Sequence, residues 1–308
     1  MIGERALVTG SGGFIGPHVV AGLQGAGYRV RLTQRVASRA PEGCETVVTG
    51  DLAAPIDWSA ALAGVSCVIH LAGLAHAGPG LDDALYRRLN TDATLELAQA
   101  AYRAGISRFV YISSIKAQSG AFDGVLRDDD EPAPDDAYGR SKRAAEEGLA
   151  RLDLDWVALR PVLVYGPGVK ANMAALLRLA RSPVPLPLGA LIAPRSLLAV
   201  ENLADAVLFA LTPKCPPRRA YIVADPEPIS VAGIIAALRA GLGRGPGLIG
   251  VPPGLLRLAA RLARRQDAFV KLSGSLVAAP EGLLRAGWRP PVATQEALKR
   301  LAMSTAAG

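Results

Sequence analysis

The chain has 308 residues, half of them hydrophobic and a fifth of them charged, with a formal net charge of +7. This composition is typical of a globular protein, and the length suits one large α/β domain or one domain with a smaller appendage. No apolar run approaches ~18 residues and a strand pattern begins close to Met1, so we predict neither a transmembrane helix nor a signal peptide.

The net charge of the chain and the spacing of its cysteines indicate which binding partners and which cellular compartment to expect. A net positive charge suits nucleic acid, anionic lipid or an anionic small molecule. No aromatic platform or nucleic-acid motif accompanies it, so we expect no nucleic-acid partner. The three cysteines, Cys44, Cys67 and Cys215, show neither metal-ligand nor CxxC spacing, which is typical of reduced thiols. We therefore predict a cytoplasmic protein without a metal site.

The first predicted elements are a strand, a glycine-rich turn and a helix. An apolar run at 6–8 leads into Thr-Gly-Ser-Gly-Gly-Phe-Ile-Gly at 9–16, and apolar residues then recur at helical spacing. Such a turn presents backbone N–H groups and the positive end of a helix to a phosphate. Gly10 permits the tight turn, Gly13 lets a pyrophosphate approach the backbone, and Gly16 lets helix and strand pack closely. The pattern predicts a dinucleotide site; the alternative is an α/β protein that has the turn and binds nothing there.

Strand and helix patterns then alternate along the first half of the chain. The predicted strands are 28–33, 46–48, 67–72, 109–112 and 155–159, and the predicted helices are 57–62, capped by Asp57, 82–103 and 138–152. This alternation predicts an α/β fold with a doubly wound parallel sheet. The polar, proline-marked segment 120–137 predicts a loop over the active-site edge. Its acidic run at 128–131 indicates a solvated loop rather than a metal cluster.

The regular alternation of strand and helix patterns ends after Pro161, where glycine and proline become frequent. Further helices are predicted at 171–181, 202–211, 231–242 and 294–302. We expect a dinucleotide-binding domain at 1–165 and a smaller C-terminal α/β substrate lobe at 166–308. The alternating segment 220–223 is expected to return one strand to the main sheet.

Leucines and arginines alternate at helical spacing in the segment 254–265. A basic amphipathic helix of this kind suits the surface of an anionic membrane. The same pattern describes a helix that packs on the core and exposes a basic face, and we favour that second interpretation. Contact with a membrane surface is kept as the alternative.

Tyr138 and Lys142 are the first candidates for chemistry. Their spacing of four places both side chains on one face of a helix. A nearby ammonium favours phenolate over phenol, so Tyr138 is expected to exchange a proton with a substrate hydroxyl near neutral pH. The pair follows Ser113-Ser114 at the end of a predicted strand, where parallel sheets bind ligands. Ser114 is expected to hydrogen-bond the reacting oxygen, with Ser113 as the alternative.

The order of these motifs resembles that of the extended short-chain dehydrogenases. The matching features are the glycine turn, Asp51, the tract 70–73, Asn90, Ser113-Ser114 and the Tyr138/Lys142 pair. Later segments at 159–161, 164–168, 195–197 and 202–206 resemble the nucleotide-sugar epimerase/dehydratase branch. The tracts 114–116 and 167–172 look closest to bacterial polysaccharide enzymes that act at C4 of UDP-sugars.

The resemblance implies a Rossmann fold, a nicotinamide cofactor and a nucleotide sugar as the small-molecule substrate. It makes Ser114, Tyr138 and Lys142 the catalytic set. The implied cofactor-binding residues are Gly10, Gly13, Phe14, Ile15, Gly16, Arg35, Asp51, Leu52, Leu71, Ala72, Gly73, Asn90, Ser113, Tyr138, Lys142 and Pro161. The implied substrate-binding residues are Ser114, Lys116, Asn172, Leu188 and Arg195. It also implies a homodimer in which the helices near 82–103 and 138–152 form a four-helix arrangement.

Within these sets the resemblance implies separate roles. Asp51 would bond the adenine, and Ala72-Gly73 would line the nicotinamide. Asn172 and Arg195 would meet the sugar diphosphate, as suits a guanidinium facing anionic oxygens, and Leu188 would border the uracil.

Two further features of the sequence bear on the cofactor and on the reaction. NAD-preferring relatives carry an acid at the end of the second strand, whereas this chain has Thr33-Gln34-Arg35. Arg35 there suits the 2′-phosphate of NADP, but a solvated arginine or one stacked on adenine fits equally, so NAD and NADP both stay open. Sugar dehydratases place an Asp-Glu pair after the catalytic hydroxyl. This chain has Ile115-Lys116, which disfavours dehydration.

The leading hypothesis is an NAD(P)-dependent epimerase that acts at C4 of a UDP-hexose such as UDP-glucose or UDP-N-acetylglucosamine. The first alternative is an NAD(P)H-dependent 4-reductase of a UDP-4-keto-6-deoxy-hexosamine, which would use the same motifs. The second is a non-catalytic NAD(P)-sensing scaffold. An intact Ser114, Tyr138 and Lys142 set argues against a scaffold, because a protein that only binds needs no paired tyrosine and lysine.

Overall fold

A computed structural model describes residues 3–74, 81–120, 122, 124–169, 171–264 and 266–305. The strands in chain order are β1 (Arg5–Thr9), β2 (Arg29–Gln34), β3 (Cys44–Val48), β4 (Cys67–His70), β5 (Arg108–Ile112), β6 (Val125–Leu126), β7 (Trp156–Pro161), β8 (Leu163–Tyr165), β9 (Pro194–Arg195), β10 (Leu197–Ala199), β11 (Arg219–Val223), β12 (Ile229–Ser230) and β13 (Val277–Ala278).

The helices alternate with these strands. In chain order they are α1 (Gly16–Gly25), α2 (Ser59–Leu62), α3 (Asp83–Tyr86), α4 (Ala93–Arg103), α5 (Ala137–Leu149), α6 (Ala171–Arg181), α7 (Val200–Ala210), α8 (Val231–Gly241), α9 (Pro253–Leu262), α10 (Gln266–Ser273), α11 (Glu281–Ala286) and α12 (Thr294–Ser304). A π-helical segment (Arg87–Asp92) joins α3 to α4, and a 3₁₀ turn (Ile115–Ala117) follows β5. No helix in the described part of the chain is long and apolar enough to cross a membrane.

Seven parallel strands form the main sheet, in the order β11-β7-β5-β4-β1-β2-β3. The strand order reverses between β1 and β4, so the sheet is doubly wound and this reversal is its topological switch point. The predicted α/β fold is confirmed, and so is the return of one strand near 220–223, since β11 pairs with β7. Ligands bind such sheets beyond the carboxyl ends of the strands at the switch point.

Both faces of the sheet are buried, because successive side chains of a strand point to opposite faces. Ala6, Val8, Ile69 and Val110 pack with α1 and α7 on one face. Leu7, Val68, Phe109 and Ala158 pack with α4 and α5 on the other. Because the seven strands between these helical layers are parallel, their carboxyl ends all lie along the same edge of the sheet.

The C-terminal part of the chain builds a second core. Buried residues of α6, α8 and α12 pack with β10, which pairs in parallel with β8. Ile229 of the short β9–β12 pair packs in this core, whereas Leu126 and Ala278 of the short β6–β13 pair pack in the main core. The division into domains at residue 165 stays a prediction.

Several predicted boundaries differ from the structure. The helix predicted from Asp57 begins at Ser59, although Asp57 Oδ1 accepts the Ser59 backbone N–H at 2.9 Å. The uniform helix predicted at 82–103 contains the π-helical segment, a local irregularity that often marks a functional site.

The loop predicted at 120–137 contains β6, and its acidic run is not simply solvated. Asp128 accepts the backbone N–H groups of Ile222 at 2.6 Å and Gly282 at 2.9 Å, so it joins this segment to β11 and α11. Burial raises the pKa of the Asp128 carboxyl. The local sequence pattern did not predict this role of Asp128, because its two hydrogen-bond partners lie far away in the sequence.

The predicted core packing of the segment 254–265 is wrong for most of its leucines. Leu256 and Ala260 of α9 pack against the second core. Leu255, Leu258 and Leu262 are each more than half exposed, and no residue of α9 is fully buried. A single amphipathic pattern does not tell a core-facing stripe from an exposed one, because both have helical spacing.

Candidate active site

The glycine turn after β1 lies directly against the end of β4. Gly10 has a φ of +72°, and a Cβ there would lie 2.5 Å from the backbone nitrogen of Ala72, so only glycine fits. A Cβ on Gly16 would collide with the backbone of Ser11. The close packing at Gly16 is therefore with the turn itself, and not with the strand as predicted.

The outer side of the same turn is open. A Cβ on Gly12 would meet nothing within 4 Å, and one on Gly13 would meet only the Gly10 carbonyl oxygen at 3.4 Å. The glycines at these two positions are thus not required by the packing of the chain. Their open side, beside the first turn of α1, leaves the room that a phosphate needs at the positive end of a helix.

A cavity of about 700 Å³ extends from this turn along the ends of β2 and β3. It is lined by four of the predicted cofactor residues, Gly10, Gly13, Arg35 and Leu52, and also by Arg39. Asp51 lies beside it, where its carboxylate accepts the Ala53 N–H at 2.9 Å and is 3.8 Å from the Arg35 guanidinium. The predicted bond from Asp51 to adenine stays a prediction.

A buried hydrogen-bond chain fixes the end of β4 between β1 and α4. His70 contacts the hydroxyl of Thr9 at 2.7 Å through Nδ1 and that of Thr94 at 3.0 Å through Nε2. Because Thr94 donates its proton to the Asn90 carbonyl, the proton of the His70 ring belongs on Nε2. Burial lowers the pKa of His70 to about 3, so the ring is neutral and structural.

Asn90, in the π-helical segment, holds the loop after β4. Its side-chain oxygen accepts the Leu74 N–H at 2.7 Å, and its nitrogen donates to the Leu74 carbonyl and to the Ser141 hydroxyl. A Cβ on Gly73 would lie 2.8 Å from the same oxygen. Asn90 is fully buried and its amide is engaged, so the structure places it as a support for Gly73.

Tyr138 and Ser114 are hydrogen-bonded to each other at the end of β5. The 3₁₀ turn begins there, and Ser114 Oγ also accepts the Lys116 backbone N–H at 3.2 Å. Asp136 caps α5 by accepting the Gly139 N–H at 2.7 Å, which fixes Tyr138 in the first helical turn. Burial raises the pKa of Tyr138, and the bond with Ser114 acts in the opposite direction. The predicted lowering by Lys142 is not seen: desolvation of the phenol is the largest effect on this pKa, and the group that lowers it is Ser114.

Lys142 lies one turn further along α5 and is buried. Its Nζ donates to the Ile112 carbonyl at 2.9 Å and lies 4.7 Å from the centre of the Tyr111 ring. A Cβ on Gly73 would be 3.3 Å from this nitrogen, so Lys142 reaches the loop after β4. Burial lowers the pKa of Lys142 to about 8. The helix α5 thus delivers a phenol and an ammonium to the ends of β4 and β5.

Ser113 points away from this group, into a buried ion-pair network that the sequence did not predict. Its Oγ donates to Glu146 Oε1 at 2.5 Å, and Arg160 forms a forked ion pair with the same carboxylate. Arg160 also donates to the side chain of Gln118 at 2.9 Å. Ser114 is therefore the hydroxyl that faces Tyr138. A lone arginine inside the apolar strand β7 was the available signal for this network.

The other predicted cofactor residues line the same edge of the sheet. Ile15 and Leu71 pack against the main core, the Phe14 ring lies edge-on to His18, and Pro161 ends β7 beside Val223. Their contacts with a cofactor stay predictions.

The predicted substrate residues that the structure describes have separate partners. Lys116 is ion-paired with Asp136, and Leu188 packs against the second core. Arg195 donates to the Gly274 carbonyl at 2.7 Å and lines a second cavity of about 460 Å³ with Phe122. Burial lowers the pKa of Arg195. The side chain of Asn172 lies outside the part of the chain that the structure describes.

The chain is similar to known proteins both in sequence and in structure. Residues 6–224 match the family described as "NAD dependent epimerase/dehydratase family". The chain is 34% identical to a UDP-glucose 4-epimerase from Vibrio cholerae over 316 residues, which cover 98% of this chain and 95% of that protein. The solved structure of MoeE5 in complex with UDP-glucose and NAD has a TM-score of 0.73 at 26% identity, with 99% of both chains covered. A UDP-galactose 4-epimerase structure has a TM-score of 0.72 at 25% identity, again with 99% of both chains covered.

Proposed function

The chain belongs to the NAD dependent epimerase/dehydratase family, and from that membership we propose that it moves hydride between NAD(P) and C4 of a UDP-hexose. The epimerase form of this reaction, on a sugar of the UDP-glucose or UDP-N-acetylglucosamine type, is the leading assignment. The observation that carries it is the hydrogen-bonded Ser114 and Tyr138 pair, one helical turn from Lys142. A protein that only bound a nucleotide would not need this arrangement.

The residues around the glycine turn fit a dinucleotide. Gly12 and Gly13 leave open the space that a pyrophosphate requires, and the cavity beyond them leads to Arg35 and Leu52. Gly73 and Lys142 lie on the other side of Gly10, where the nicotinamide end would be held. A nicotinamide held there would supply the reversible hydride transfer at C4 that lets the sugar be oxidised on one face and reduced on the other.

The protein residues control the proton and the orientation of the sugar. Ser114 holds the oxygen on C4, and Tyr138 accepts the proton of the 4-hydroxyl and gives it back when the keto group is reduced. Burial disfavours the Tyr138 phenolate, so the positive charge of Lys142, together with that of an oxidised cofactor, must stabilise it. Arg195, in its half-buried cavity, is assigned to the diphosphate.

Changing Gly13 to Val should weaken cofactor binding without unfolding the protein. The new side chain would fill the open side of the turn, and we expect the Kd for NAD to rise by roughly tenfold, equivalent to about 1.4 kcal/mol. The matched control is Gly245→Val, at a glycine with nothing within 4 Å of its Cβ position and away from the turn. Fluorescence titration and thermal melting of both variants measure the effect. If the two variants bind NAD with equal affinity, the glycine turn is not part of the cofactor site.

Arg35 favours a second candidate, the NADPH-dependent 4-ketoreductase. Its side chain stands at the end of β2 in the cofactor cavity, where it would meet a 2′-phosphate. We expect Arg35→Ala to weaken NADPH binding about tenfold relative to NADH, as fits one lost charge-assisted hydrogen bond. The control is Arg300→Ala, an exposed arginine on α12. An unchanged NADPH to NADH ratio would leave Arg35 solvated or stacked on adenine.

The nucleotide released on denaturing the purified protein tests epimerase against reductase. An epimerase regenerates its cofactor in each cycle, so stoichiometric NAD supports that assignment. A protein that carries none and prefers NADPH supports the reductase. Failure to bind either nucleotide would contradict both enzyme assignments and the NAD(P)-sensing scaffold, and would leave a protein that kept the fold without its cofactor. The homodimer through the helices near 82–103 and 138–152 stays a prediction.

A further inference from the structure

Helix α9 exposes a row of leucines that the proposed reaction does not use. The exposed fractions are 59% for Leu255, 54% for Leu258 and 78% for Leu262. Their spacing of three and four places them on one face of the helix. Leu256 and Ala260 occupy a different face and pack against the second core, so the helix is held with its leucine face outward.

The surroundings of this leucine face are strongly basic. The sequence contains no Asp or Glu between Glu227 and Asp267. Arg257 and Arg261 lie on α9 itself, and Arg264 follows its end. Among the residues that the structure describes, none of these three arginines has an acidic side chain within ion-pair distance.

Arg257 is held close to the helix that follows. Its guanidinium lies 5.9 Å from the centre of the Phe269 ring on α10, and this ring is buried. Helices α9 and α10 therefore pack as a pair, with basic groups beside the exposed leucines. An apolar stripe with arginines beside it is complementary to a surface that is apolar below and anionic above.

We propose that α9 docks on an anionic lipid bilayer, lying in the plane of the interface. Leu255, Leu258 and Leu262 would enter the boundary of the acyl chains, while Arg257 and Arg261 would meet the lipid phosphates. With ten residues the helix is too short to span a membrane, so the contact is peripheral. This inference does not rest on the proposed function.

A second copy of the chain fits the same face less well. A two-fold dimer would place the same patch against itself, so the arginines of one copy would meet those of the other. Three leucines on one short helix also offer less area than the roughly 800 Å² per partner of a stable interface. A lipid surface satisfies both the apolar and the charged parts of the patch.

Vesicle co-sedimentation of the full chain tests the proposal. We expect the protein to pellet with vesicles that contain phosphatidylserine and to stay in solution with pure phosphatidylcholine vesicles. The triple variant Leu255→Gln, Leu258→Gln, Leu262→Gln should bind the anionic vesicles about tenfold more weakly, because the apolar term is lost while the charge is kept. Arg261→Gln with Arg264→Gln should weaken binding too, and added salt should do the same.

The matched control changes Val184, Ile192 and Met303 to Gln, at three exposed apolar positions outside α9. It should pellet like the parent, and thermal melting should show that all variants are folded. Parent protein that stays in solution with anionic vesicles would overturn the proposal. Equal pelleting of the leucine variant would overturn it as well, since binding would then be due to net charge alone. Self-association lost in that variant, without lipid binding, would assign the face to a second copy.

Discussion

The Tyr138→Phe variant is expected to turn over its nucleotide sugar about 10²–10⁴ times more slowly than the parent enzyme. The substitution removes one oxygen, which is the atom that exchanges a proton with the sugar and bonds Ser114. The phenyl ring fills the same partly buried space beside Tyr86, so folding should be preserved. Cofactor affinity should change little, because the nucleotide is held mainly at the glycine turn.

The control for this variant is Tyr102→Phe. Tyr102 lies in the last turn of α4, before β5 begins, and half of its surface is exposed. Its variant should keep the parent kcat when both are assayed with the same sugar. A near-normal rate for Tyr138→Phe would remove Tyr138 from the proton transfer and with it the proposed chemistry.

The Glu146→Ala variant should lose about 3–5 kcal/mol of the free energy of unfolding. Its carboxylate accepts the Ser113 hydroxyl and pairs with Arg160, and both charged side chains are almost fully buried. Removing the acid would leave the Arg160 guanidinium buried with Gln118 as its one side-chain acceptor among the residues that the structure describes. Urea denaturation followed by circular dichroism measures this loss.

Its neighbour Glu147 provides the matched control. Glu147 is half-exposed and pairs with Arg143 one turn away, so Glu147→Ala should cost no more than about 0.5 kcal/mol. Replacing both members of the buried pair, Glu146→Leu with Arg160→Met, should restore most of the lost stability, because no unpaired charge remains. If Glu146→Ala costs no more than Glu147→Ala, the buried pair does not support the fold as described.

The fold was largely predictable because its signals are local. Apolar strands such as β4 are buried on both faces, which a continuous apolar run predicts. The turn at Gly10 has a positive φ, which the glycine itself indicates. The Tyr138 and Lys142 pair was predictable for the same reason, since helical spacing alone places both side chains on one face. The alternation of strands and helices then fixed the winding of the sheet.

The remaining parts of the site depend on contacts between distant residues. Ser113 and Ser114 are adjacent in sequence, and only the position of Glu146 on α5 shows which of them faces Tyr138. The raised pKa of Tyr138 follows from burial, which spacing does not report. Likewise the exposed face of α9 depends on where the second core ends. These features become visible only in the tertiary structure.

The most direct measurement is to incubate the purified protein with UDP-glucose or with UDP-N-acetylglucosamine, without added reductant, and to follow the sugar by proton NMR. The proposed function predicts that one of them is converted into a mixture with its C4 epimer, and that the Tyr138→Phe variant does not catalyse this conversion. If neither sugar changes at C4, even when NAD is supplied, the epimerase assignment is contradicted.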